Sequence, residues 1–205
     1  MDWSVRQRAD SLDASNTRLR AGIARCTEFL IDIPSYFGSL NGPPSSSGFS
    51  NIVVSFKRQL PVPFGFDLSA TAGLGFPSGS GNISGPGYQP YIQFPWSHDI
   101  AAEWAVNGMF TLTWYPSAPA RNPTFEPTLS LERSFGQAAD LFTEYVGDYD
   151  HQRPAQLVDG GGAWRFTRTQ QVDFHVGIGL NSSTVDHYFG FGYSIRLDGL
   201  WGSRT

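Results

Sequence analysis

Apolar residues alternate with polar or very small ones in twelve stretches of this chain, and few folds satisfy that pattern. The clearest case sets Phe64, Phe66, Leu68, Ala70, Ala72, Leu74 and Phe76 against Gly65, Asp67, Ser69, Thr71, Gly73 and Gly75. A period of two gives a strand one oily face. With too few helical segments to cover so many oily faces, the solvent on that side is expected to be lipid. The pattern predicts an all-β chain: a single antiparallel transmembrane β-barrel of about twelve strands occupying residues 1–197, with a short extension at 198–205.

The strands are expected at 2–9, 17–25, 28–34, 50–60, 64–76, 88–97, 100–115, 123–134, 139–147, 156–166, 171–180 and 187–197. Most approach the roughly 9 to 11 residues with which a tilted strand crosses a bilayer. Short turns at 26–27, 61–63, 98–99, 136–138 and 168–170 alternate with longer Gly-, Pro- and Ser-rich loops at 36–49, 77–87, 116–122, 148–155 and 181–186. Such alternation fits turns on the periplasmic side and loops on the outer side of a bacterial outer membrane. The two longest loops read as mobile.

Composition narrows the alternatives. Charged residues are 16% of the chain, below the usual ~25%, while aromatics reach 15%. No run approaches the roughly 18 apolar residues of a spanning helix. A net charge of -4 offers no footprint for nucleic acid. The lone Cys26 can form no internal disulfide, and no cofactor or metal is expected. The N-terminus has no apolar core of signal-peptide length, so a mature, engineered or truncated start is expected.

A soluble β-sandwich would show the same alternation, with its apolar faces meeting in a core. Two features favour the membrane. The polar faces are rich in Gly, Ser, Thr and Ala rather than Lys and Glu. Trp96, Trp104, Trp114, Tyr115, Trp164 and Phe166 fall near strand ends, where an aromatic girdle belongs.

If the polar faces line a lumen, parity selects its charges. Early strands contribute Arg6, Arg8, Arg18, Arg20 and Lys57, with Glu28 and Asp32 beside them. Later strands contribute Glu103, Glu126, Glu132, Glu144, Asp159 and Asp173, with His175 on the same face. Arg196, on a last strand that closes onto the first, joins the basic group. One wall is then mainly basic and the other mainly acidic. Such an interior is either a transverse field across an open pore or a salt-bridged plug. His175 reads as a hydrogen-bonded structural residue, with a proton-linked gate as the sharper reading. His98, His151 and His187 form no metal-ligand set.

No enzyme is expected. Outer-membrane lipid hydrolases pair a serine with a nearby histidine, but here no histidine is followed two residues later by serine and no Gly-x-Ser-x-Gly elbow occurs.

The stretch 156–167 (QLVDGGGAWRFT), then Val172-Asp173-Phe174, then 189–197 (FGFGYSIRL), resembles the closing strands of one family. These are the outer-membrane transporters grouped as the MetA-pathway of phenol degradation. Upstream, 17–23 (TRLRAGI), 28–31 (EFLI), Phe56-Lys57 and 75–79 (GFPSG) fit the same layout. The chain departs from the pattern at its end, where Ile195-Arg196-Leu197 replaces a terminal aromatic residue. The resemblance implies a channel or transporter for small molecules, with aromatic compounds as one candidate class. Its partners would be outer-membrane lipid, a small solute and the outer-membrane assembly machinery. A closed structural or binding barrel is the alternative.

Overall fold

The computed structural model describes residues 1–6, 9–41, 47–116, 123–150 and 153–198. Its strands are β1 (Asp2–Arg6), β2 (Ala9–Ala14), β3 (Thr17–Ala24), β4 (Thr27–Ile33), β5 (Tyr36–Ser39), β6 (Gly48–Phe49), β7 (Ile52–Leu60) and β8 (Phe66–Phe76). They continue as β9 (Gln89–Ala101), β10 (Trp104–Thr113), β11 (Thr124–Phe135), β12 (Ala139–Asp148), β13 (Ala155–Arg165), β14 (Gln170–Gly179) and β15 (His187–Ile195). All join one antiparallel sheet in the order β3-β4-β7-β8-β9-β10-β11-β12-β13-β14-β15-β1-β2-β5-β6. The expected Arg8 and His151 lie outside the described residues.

The all-β antiparallel architecture is as expected, but fifteen strands replace about twelve. The excess comes from local interruptions. A left-handed Ser15 (φ 60) separates β2 from β3, Pro34-Ser35 separates β4 from β5, and Ser50-Asn51 separates β6 from β7. The three breaks lie side by side, and Ser35 N–H donates to Ser50 Oγ across them at 2.8 Å. Register survives each break: Ala14↔Tyr36 is in phase with Thr17↔Ile33, and Tyr36↔Phe49 with Asp32↔Val53. Residues 10–14 and parts of 36–49, expected as connections, are therefore strand.

The sheet is also not closed along its full height. The last strand does meet the first: β15 pairs with β1 from Asp2↔Gly190 to Val5↔His187. Below Phe191, whose N–H donates to Met1 O at 2.9 Å, the described residues give β15 no neighbour on that side. Among the described residues, the outer edge of β3 has no partner strand either.

One turn moves. His98 and Asp99, expected as a turn, pair with Val106 and Ala105, and the turn falls at Ala102-Glu103. His98 is held in the strand by Phe66, against which its ring stacks at 4.3 Å. Inside β9 the ladder to β8 skips Ser69 and Ala70, opposite Pro95, which has no N–H to give.

The interior is inverted relative to a soluble protein. Leu30, 3% exposed, is the one buried hydrophobic side chain among the described residues, whereas Ser55, Thr71, Thr111, Asp140 and Asp159 are buried. Phe174, Val176 and Ile178 on β14 are exposed, and Asp173, His175 and Gly177 between them are not. Among the described residues, the large apolar side chains of this face stay exposed. No helix among the described residues is long and apolar enough to cross a membrane.

The loop at 77–87 is tied to the sheet by hydrogen bonds. Asn51 Oδ1 accepts from Ser78 N–H at 3.2 Å and Gly79 N–H at 3.0 Å, Phe49 N–H donates to Ser80 Oγ at 2.9 Å, and Ser84 Oγ donates to Phe49 O at 2.9 Å. The serines that looked like linker residues pin the loop to β6.

Candidate functional site

Register carries side chains of like orientation from strand to strand, so the polar face can be followed round the sheet. Glu144 stands opposite Asp159, Asp159 opposite Gly177, and Gly177 opposite Tyr188. Tyr188 reaches over Gly177 and donates its hydroxyl to Asp159 Oδ2. One step along, Gly161 stands opposite His175, His175 opposite Gly190 and Gly190 opposite Asp2. His175 Nε2 lies 3.4 Å from Asp2 Oδ1, over Gly190. Asp173 lies over Gly192 in the same way. Glycines on this face thus leave room for polar side chains to lie flat against the wall, since any Cβ would collide with them.

The rest of the polar face is paired locally. Glu126 accepts from Thr113 Oγ1 at 2.7 Å and Glu132 from Asn107 Nδ2 at 3.1 Å. Asp140 pairs with Arg165. Arg18 grips both carboxylate oxygens of Asp32, with Nη2 to Oδ2 at 2.9 Å, and Arg20 Nη2 meets Glu28 Oε2 at 2.7 Å. Lys57 is in register with Glu28. A cavity of about 220 Å³ opens beside Arg18 and Asp32, lined also by Tyr91, Gln93, Thr111 and Thr113. Just past β10, burial and then the carboxylates Glu126 and Asp148 push the Tyr115 phenol up to about 12, so it stays neutral.

The structure therefore gathers Arg18, Arg20, Glu28 and Lys57 on β3, β4 and β7, and Glu144, Asp159, Asp173 and His175 on β12 to β14, with Glu126 on β11. The expected basic wall is largely neutralised by Asp32 and Glu28, while the acidic side is not. Two expectations fail. Glu103 occupies the turn that β9 pushed along; it is 56% exposed and pairs with Arg133 at 3.4 Å. Arg133 in turn lies over the rings of Trp104 and Phe135. Arg196 lies past the end of β15, 68% exposed, and pairs with Asp198 at 3.0 Å, well below the last β1 rung at Gly190. Asp2, Asp140 and Tyr188 were missed, although parity with Glu144 and with Gly190 would have placed the last two on this face. Replacing Glu103 with glutamine is accordingly expected to leave ion selectivity unchanged; a shifted reversal potential would return it to the conduction path.

The chain matches the family described as "Putative MetA-pathway of phenol degradation" over residues 12–197. No curated protein matches it by sequence. Among solved structures, it is similar to a KdgM porin in complex with disordered oligogalacturonate, at 9% identity and a TM-score of 0.66, covering 96% of this chain and 98% of that one. A NanC porin aligns at 8% identity with a TM-score of 0.63, again over 96% and 98%. At such identities the likeness establishes a shared porin fold.

Proposed function

The chain belongs to the MetA-pathway of phenol degradation family, and from that premise we propose that it is a channel for small molecules in a bacterial outer membrane. Its apolar face meets lipid and its polar face lines the lumen. On this reading β2 with β3, β4 with β5, and β6 with β7 are three kinked strands, so that twelve strands span the membrane. The unbroken register across each kink supports that count. The inverted interior, with one buried hydrophobic side chain among the described residues, supports the lipid-facing assignment.

One observation carries the open lumen. Arg18–Asp32, Arg20–Glu28 and Arg165–Asp140 each join neighbouring strands, while His175–Asp2 and Tyr188–Asp159 each step over one glycine-bearing strand. All run along the wall, and none of these pairs crosses the barrel. A salt-bridged plug would need pairs that do.

Aromatic solutes are the finer suggestion of the family's description. The oligogalacturonate of the KdgM complex is not transferred to this chain, whose wall has the wrong sign for a carboxylated solute. Refolded into a planar bilayer in potassium chloride, the protein is expected to give steady single-channel conductance, partly blocked by phenol if aromatic compounds enter. Silence from protein shown to be inserted would reject the channel and favour the closed barrel.

A further inference from the structure

The charge on the polar face is lopsided, and the side with the surplus has little base left to meet it. β11 to β15 and β1 carry Glu126, Glu132, Glu144, Asp159, Asp173 and Asp2 there. Little base stands against them: Arg165 is committed to Asp140, Arg6 sits at the last position of β1, and the His175 ring lies against Asp2.

Within this strip Glu144 and Asp159 are direct register partners on adjacent strands. Like charges placed directly opposite one another weaken a sheet. Asp159 is also only 9% exposed. Its Oδ2 takes the Tyr188 hydroxyl, but Oδ1 is buried with no hydrogen-bond partner among the described residues. A buried carboxylate oxygen without a donor is costly. The Tyr188 contact fixes the carboxylate while leaving that oxygen unspent. A second carboxylate beside it and no free base on the same strands make the spot electrostatically incomplete.

We propose that Glu144 and Asp159 form a binding step for cations on the inner wall, and that the solutes this channel favours are small cations, including organic ammonium ions. This rests on the channel reading above and names its substrate class. A cation held on the lumen side of Glu144 and Asp159 offsets the charge of both carboxylates, including that of the buried, donor-less Oδ1. The remaining acidic side chains of the strip then continue the favourable potential along the same wall.

The test is the reversal potential of the inserted protein under a potassium chloride gradient, followed by bi-ionic measurements with benzylammonium and with benzoate, which match in size and differ in charge. Severalfold preference for potassium over chloride and for benzylammonium over benzoate is expected. Both preferences should fall toward one in the double variant E144Q/D159N. Anion preference, or selectivity unchanged in that variant, would overturn the proposal while leaving the channel standing. Should the inserted protein be silent, calorimetric titration with benzylammonium decides separately. Binding that is lost in E144Q/D159N would support the cation step although the channel reading falls, and absent binding would overturn both. If the double variant does not insert, the isosteric single variant Glu144→Gln gives the same readout.

Discussion

Replacing Phe174 with arginine is expected to destabilise the inserted protein by about 2 to 4 kcal/mol, the cost of a guanidinium facing mid-bilayer lipid from a barrel wall. Phe174 sits in the middle of the ten-residue β14. It is 51% exposed, between Gly162 on β13 and Phe191 on β15 in register. Its covered half lies between Gly162 and Phe191, so a variant at the strand end is needed to separate lost packing from the solvent. Reversible urea unfolding in lipid vesicles reads the penalty directly. Ile195→Arg, at the end of β15, should cost about 1 kcal/mol or less, because the penalty fades toward the interface. Equal and small effects at both positions would mean that the apolar face does not lie in hydrocarbon.

Gly177→Val should act from the other side of the wall, through packing rather than lipid. A Cβ at Gly177 would fall among the ring atoms of Tyr188, 2.6 Å from Cζ, so the ring has to leave. Overfilled positions of this kind typically cost about 1 to 3 kcal/mol. Displaced from the wall, Tyr188 loses Asp159 and has only the lumen to move into, so single-channel conductance is expected to drop. Tyr188→Phe is the control: it removes the hydroxyl donated to Asp159 while the ring keeps its place over Gly177, so a drop in conductance beyond that of Tyr188→Phe reports the displaced ring. Undiminished conductance in Gly177→Val would show that the tyrosine is not beside the conduction path.

The two variants exploit features that were legible to different degrees. Phe174 could be read as lipid-facing from alternation alone, because period two in a strand is a local property of the backbone and its neighbours Asp173 and His175 mark the opposite face. The same parity assigns Glu144, Asp159 and Asp173 to one face, and register sets them on neighbouring strands. It failed at Glu103 because a turn position depends on how far the partner strands keep pairing, and the stacking of His98 on Phe66 carried β9 past the polar residues that looked like its end. It failed at Arg196 because the reach of β1 along β15 is set by contact between residues nearly two hundred positions apart.

By itself, then, the sequence determined the class of fold, the two kinds of connection and the face on which most of the charges lie. Each of these follows from the strand's repeat and from where glycine, proline and charge can be tolerated. Only the tertiary structure decided which charges cancel. Asp32 and Glu28 neutralise Arg18 and Arg20, whereas Asp159 is left with one carboxylate oxygen buried and unmet. Pairing is a matter of distances across strands, and those are fixed by register, by the glycines that let Tyr188 and His175 lie flat, and by the kinks at Ser15, Pro34 and Ser50-Asn51. None of these is written in the alternation of any one strand.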